Sequence, residues 1–269
     1  MKNKLPYLLL VLVAYSYTFA EEYSFKLGMI FHFEGINTEL IDLEYKVNGM
    51  AQEITEQHID SYNSNSIYKN YQYNTGILCS YNINSNFYVD ALAGISFLKH
   101  ETMYSHTEEL DHTFTNNTPG YFFGFGFSYS YLIFDKISAT INPNIKYVNY
   151  SDVGFSDPNG DIENYIDSDI EQSFFHYNIP LIFTYDFEWI KPGLGFCYFN
   201  YIQNIKFDGT IIDDFSNKYD INRDILFNQN SVFGGIVHLD ITINRSTSII
   251  TDFIISDGAA GNIKFQFGL

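Results

Sequence analysis

Residues 121–133 read Tyr-Phe-Phe-Gly-Phe-Gly-Phe-Ser-Tyr-Ser-Tyr-Leu-Ile. Tyr121, Phe123, Phe125, Phe127, Tyr129, Tyr131 and Ile133 are interleaved with Gly124, Gly126, Ser128 and Ser130. A period of two sends alternate side chains to opposite faces of a β-strand, so one face here is almost wholly aromatic. The run exceeds the roughly 5–6 residues of an ordinary strand. It suits the roughly 9–11 residues of a tilted strand that crosses a membrane.

The same alternation recurs on both sides of it. Tyr23 to Phe33, Tyr71 to Ile83 and Phe87 to Phe97 precede it. Ile137–Tyr147, Phe175–Phe187, Ile190–Ile202, Phe233–Ile243, Ile249–Ile255 and Ile263–Leu269 follow, which predicts ten strands. The joints alternate in length. Asn84-Ser85, Asp135-Lys136, Glu188-Trp189 and Asn244-Arg245 are tight turns, whereas long polar loops lie near 35–68, 99–118, 151–172 and 204–229. Short turns at one end and long loops at the other are the mark of a transmembrane antiparallel up-and-down β-barrel, with its turns in the periplasm. Ten strands are expected, with eight or twelve as alternatives. Pro143 and Pro180 fall mid-strand and predict bulges, because each removes a ladder donor. The run Ile41, Leu43, Tyr45, Val47 also alternates, as a strand extension above the membrane or a sign of twelve strands.

Composition decides which face meets lipid. Aromatics make up 19% of the 269 residues, a load that would precipitate a soluble protein if the stripes faced water. The opposite stripe carries Gly, Ser, Asn and nearly every strand charge: Lys26, Asp90, Lys146, Asp186, Lys191, Asp240, Asp252 and Lys264. A soluble barrel would be reversed, with its apolar side chains inside. The formal charge of −18 repels phosphates, which excludes a nucleic-acid binder. Two cysteines build neither a disulfide framework nor a zinc site. Cys79 falls on the lipid stripe and Cys197 on the lumen stripe, so no bridge is expected.

The first twenty residues read as a signal peptide: Lys2 and Lys4, the apolar run Leu8–Ala14, and small residues before a break at Ala20. Residues 21–269 then form the barrel domain of an exported protein. With the ending Ile263-Lys-Phe-Gln-Phe-Gly-Leu269, these features make the chain resemble the small bacterial outer-membrane β-barrel proteins, the OmpA-like, OmpX-like and opacity-protein group. The likeness is architectural and covers the whole mature chain. It implies location in the outer membrane of a Gram-negative-type bacterium, contact with its lipid and lipopolysaccharide, and insertion by barrel-assembly machinery that reads the last strand. Leu269 stands where such proteins usually end in an aromatic. No peptidoglycan-binding domain is expected after it.

The lumen charges are the principal candidate site. Asp240 and Asp252 are expected to pair with Lys191 and Lys264, because an unpaired charge in a narrow barrel costs several kcal/mol. Such a network is either a structural plug or an ion-selecting constriction, and the plug is the preferred reading. His238 and Asp240 share one face and invite comparison with outer-membrane proteases. Asp240 lies near the periplasmic turn, however, far from the extracellular rim where such enzymes work. His32, His176 and His238 all fall on the polar stripe, not on the lipid face that a lipid hydrolase needs. No catalytic residue, metal or cofactor is therefore expected. His100, His106 and His112 have spacings that fit neither helix nor strand, and Asp157 to Glu163 lacks an EF-hand's pattern.

The four long loops hold 22 of the 32 acids and 5 of the 14 bases. Such an acidic crown offers a surface for divalent cations or a cationic host or environmental ligand, although solubility alone explains it. The sequence thus predicts a surface protein with a structural or adhesin-like role, and no enzyme. A narrow porin for small solutes or cations is the alternative.

Overall fold

The computed structural model describes residues 25–47, 50–53, 67–84, 86–104, 112–116, 119–151, 153–156, 165–212, 218–228, 232–244, 246–256 and 259–268. In chain order the strands are β1 Phe25–Val47, β2 Met50–Glu53, β3 Ile67–Asn84, β4 Phe87–Tyr104, β5 His112–Asn116, β6 Gly120–Phe134, β7 Ile137–Ile141 and β8 Asn144–Tyr150. They continue as β9 Val153–Ser156, β10 Tyr165–Tyr185, β11 Ile190–Ile212, β12 Lys218–Asn228, β13 Val232–Asn244, β14 Thr247–Ile255 and β15 Ala259–Gly268.

Ten wall strands close into a cylinder in the order β1, β3, β4, β6, β7 with β8, β10, β11, β13, β14 and β15. Lys26 lies opposite Gly268 and Glu34 opposite Ala260, so β15 returns to β1 and leaves no open edge. Closure is what a strand needs in lipid, where an unpaired backbone group has no water to turn to. The wall count is ten, not eight or twelve. The alternating run to Val47 is the upper part of β1, which there pairs with β2 and with β12. β12 also pairs with the upper part of β11, so it lies between β11 and β1.

Three of the four tight turns use one device. Asn84 Oδ1 accepts from the Asn86 N–H at 2.9 Å, Asp186 Oδ1 from the Glu188 N–H at 2.7 Å, and Asn244 Oδ1 from the Ser246 N–H at 2.9 Å. An Asx side chain that caps the backbone two residues on mimics a turn and fixes the register of the strands beside it.

The bulges expected at Pro143 and Pro180 are absent. Pairing from β6 to β7 and β8 keeps one register on both sides of Pro143, and the register of β10 with β11 runs unbroken through Pro180. The carbonyls explain it. Phe127 N–H donates to Pro143 O at 3.1 Å, and Asn142 N–H donates to Pro180 O at 3.0 Å. Each proline loses only its donor. The Asn142 carbonyl that Pro180 cannot serve accepts instead from Asn144 Nδ2 at 3.2 Å. The observed register shifts lie elsewhere, between Leu40 and Asp42, Tyr71 and Gln72, and Ile166 and Asp169 among others.

The outer face carries the aromatic stripes. Tyr121, Phe123, Phe125, Phe127, Tyr129 and Tyr131 are all exposed, while Phe122 between them is only 2% exposed. Leu27, Met29, Phe31 and Phe33 do the same on β1, and Phe175, Ile179, Leu181 and Phe183 on β10. A continuous apolar outer band on a closed barrel is the lipid-facing surface of an outer-membrane protein. No helix among the described residues is long and apolar enough to cross a membrane, and strands do so instead.

Residues 1–20 lie outside the described residues. So do the side chains of His100, His106 and His112 and the segment 157–163.

Candidate functional site: the barrel lumen

From the turn end upward, the lumen has three layers. The lowest is a polar chamber of about 310 Å³, lined among others by Lys26, Tyr88, Asp90, Lys191, Asp240 and Lys264. On one arc its wall is a hydroxyl ladder: Ser130 meets Thr140 and Ser138 meets Thr184, each pair at 2.8 Å. On the other arc His238 Nδ1 sits 2.5 Å from Asp252 Oδ1, between register partners on β13 and β14.

The middle layer narrows to a cavity of about 80 Å³. Ile30, Leu78, Leu92 and Ile182 line it together with Asp90, Lys146 and Asp252. At its upper rim stands Glu34. One carboxylate oxygen, Glu34 Oε2, accepts from Lys146 Nζ at 2.8 Å. His32 Nε2 and His176 Nδ1 lie 3.1 and 3.2 Å from the same oxygen. Neither contact is aligned as a hydrogen bond, since both ring nitrogens are without a hydrogen-bond partner. The His176 ring packs edge-on against Tyr201 with centroids 4.1 Å apart.

The top layer packs large apolar side chains among buried amides, with Gln72 opposite Leu98, Gln172 opposite Tyr150 and Gln203 opposite Phe174. Leu98, Phe122, Val148, Tyr150, Ile170, Phe174 and Ile205 form one buried cluster with Ile30. Phe122 lies on two glycines: a Cβ on Gly76 or Gly94 would come within 2.8 or 2.7 Å of its ring. Tyr150 fills the space that a side chain on Gly120 would take, and its hydroxyl lies 2.5 Å from Ser96 Oγ. Ser96 in turn donates to Asn74 Oδ1.

The eight charges read from the sequence separate into three groups. Lys26, Asp90, Lys191, Asp240, Asp252 and Lys264 line the lower chamber, and Lys146 stands above them against Glu34. Asp186 is a correction, because it belongs to the turn after β10 and leaves 45% of its side chain exposed. It ion-pairs there with Lys191 at 3.2 Å, outside the membrane-spanning strands. The Glu188 N–H, and then the Lys191 ammonium, hold its carboxyl below the usual range. The expected partners of Asp252 also differ: His238, not a lysine, takes it. His238 is consequently not a partner of Asp240 in a dyad.

The sequence reading missed Glu34, although it continues the inward parity of Lys26, Ile30 and His32. It also missed that large apolar residues occupy the inner stripe. Phe122 sits at a position expected to be polar, while Val148 and Phe174 lie one residue beyond the predicted strands 137–147 and 175–187, and all three are buried together. Cys79 and Cys197 are both free thiols, as expected from their opposite faces.

No protein-family model matches the sequence, and no curated protein sequence matches it. The fold is similar to that of the outer membrane protease OmpT from Escherichia coli, at 10% identity over 92% of this chain and 96% of that chain, with a TM-score of 0.44. The outer membrane protein OprG from Pseudomonas aeruginosa gives the same four values. The translocator domain of the autotransporter NalP from Neisseria meningitidis is similar at 8% identity over 96% and 93% of the two chains, with a TM-score of 0.42. Likeness at this identity extends to the fold alone.

Proposed function

We propose that this outer-membrane β-barrel is a closed scaffold of the cell envelope, which anchors an acidic crown of loops at the surface for structural or adhesin-like contact. One observation carries the reading: the packed layer of Phe122, Val148, Tyr150 and Phe174, each at most 2% exposed, crosses the lumen above the charged chamber. A conducting pore needs a continuous water path, and side chains packed across the lumen at this height support a closed barrel. Residues 1–20 serve export as a signal peptide. The closing strand β15 is the segment presented to the barrel-assembly machinery, and the loops face lipopolysaccharide and a host or environmental surface. No catalytic role is assigned to the His238–Asp252 pair, which is read as a structural neutralisation of a lumen carboxylate.

The alternative is a narrow pore for small solutes or cations, favoured by the chamber lined with lysines and carboxylates. Planar-bilayer recording on the refolded barrel separates the two. The closed-scaffold reading expects no unitary conductance in the native protein and its appearance when Phe122 and Phe174 are both replaced by Ala. Steady, cation-selective conductance in the unaltered protein would overturn it.

A further inference from the structure

The lower chamber holds opposite charges that do not meet. Among the described residues, neither Lys26 nor Lys264 has a carboxylate within ion-pair distance, and neither Asp90 nor Asp240 has an ammonium there. Asp90 is only 5% exposed, yet its Oδ1 has no hydrogen-bond partner, and Asp240 Oδ1 is equally without one. Other groups nearby are already committed. Asp252 is taken by His238, Lys191 reaches outward to Asp186, and the hydroxyls of the opposite arc satisfy one another in pairs. Charges held apart in a narrow lumen are costly unless something bridges them.

The space to bridge them is present. At about 310 Å³ the chamber is the roomier of the two cavities described, and its lining reaches the turn end through Lys26, Asn82, Ser130 and Gln266. Roughly 30 Å³ per molecule gives room for about ten waters, or for a small solute with several. Tyr88, Asp90, Asp240 and Asp252 all line this one chamber, with Lys26 and Lys264. No group of three or more metal-ligating side chains occurs among the described residues, which argues against a metal ion as the bridge.

We infer that the chamber is a binding site, entered from the periplasmic side, for a small dipolar solute that carries both an ammonium and a carboxylate. Its ammonium donates to the open oxygens of Asp90 and Asp240, and its carboxylate accepts from Lys26 and Lys264. A simple cation would leave the lysines unmatched, and a simple anion would leave the carboxylates unmatched. The site does not depend on whether the packed layer above it is closed.

Saturation-transfer NMR on the full-length barrel, refolded in detergent, tests this with three probes of similar size: L-alanine, ethylammonium and acetate. L-alanine is expected to saturate and to bind at least tenfold more tightly than either single-charge probe. Asp240→Asn and Lys264→Met should each weaken it by tenfold or more, whereas Asp186→Asn at the rim should leave it unchanged. Equal binding of all three probes, or none by L-alanine, would overturn the inference with the unaltered protein alone. Full L-alanine affinity in folded Asp240→Asn and Lys264→Met would overturn it as well.

Discussion

Lys146 Nζ donates to Glu34 Oε2 at 2.8 Å across the lumen, joining residues 112 positions apart. In the wall, β3, β4 and β6 separate β8 from β1, so the bond spans the interior and ties opposite sides of the cylinder. Both side chains are at least nine-tenths buried. Removing one partner of such a pair leaves an uncompensated charge and costs about 3–5 kcal/mol, whereas replacing both with apolar groups is often neutral. Glu34→Ala should therefore lower the urea midpoint of the refolded barrel strongly, and Glu34→Leu with Lys146→Met should restore most of the loss. A single-variant cost under about 1 kcal/mol, the scale of an exposed pair, would show that the bond is not a cross-brace.

Phe122 and Gly94 give a second test. A methyl group on Gly94 would lie 2.7 Å from the Phe122 ring and would also meet the Thr75 carbonyl. Overpacking of this kind costs about 1–3 kcal/mol, and Phe122→Ala alone should cost about 3–5 kcal/mol. Because the ring is one of three obstacles, with the Thr75 carbonyl and the Gly76 Cα as the others, the double variant should cost less than the sum. Gel mobility of heated against unheated samples across a denaturant series reads all three. Additivity within about 0.5 kcal/mol would mean that the two sites are independent.

How much of this was legible follows from the same residues. The outer stripe can be read because lipid demands an unbroken apolar face, so Tyr121 to Ile133 declares itself by parity. The inner stripe is under no such rule, since it packs against whatever crosses the lumen. Phe122 therefore breaks the expected polarity and finds its place only once Gly76 and Gly94 are brought beside it. Glu34 has the correct parity but lies one residue beyond Phe33, at the boundary of the first loop, where the predicted stripe ends. Asp186 had the parity of a lumen residue too, but the strand ends one residue before it, at Tyr185. Cross-strand pairing such as His238 with Asp252 depends on register, which alternation alone does not supply.

The proline pair offers a prediction about backbone accounting. Asn144 Nδ2 serves the Asn142 carbonyl that Pro180 leaves without a donor. In the native sequence, Asn144→Ala should cost about 0.5–1.5 kcal/mol, the net value of one such bond. With Pro180→Ala in place, the restored N–H at position 180 can serve that carbonyl, and the same Asn144→Ala change should cost almost nothing. The coupling is read from denaturant midpoints of the four proteins. Equal costs in both backgrounds would mean that the Asn144 amide does not stand in for the missing donor.

The turn at Asp186 carries a pH signature that one residue can report. Trp189 is the single tryptophan, and it lies in that turn, where its carbonyl accepts from the Thr242 N–H at 2.8 Å. The Glu188 N–H holds the Asp186 carboxyl below its usual range. A depressed carboxylate stabilises the folded turn fully above the unfolded value, about 3.9, and this contribution fades as pH falls through the lower folded value. Trp189 fluorescence should thus be flat from pH 5 to 8 and change only below about pH 4, and Asp186→Asn should abolish that change. Glu188 itself has φ of 76°, a left-handed conformation in which a side chain is strained. Glu188→Gly should remove the strain yet keep the N–H that Asp186 accepts, so the acid transition should persist in it. Loss of the transition in Glu188→Gly would mean that the Glu188 side chain, not its backbone donor, sets the Asp186 titration.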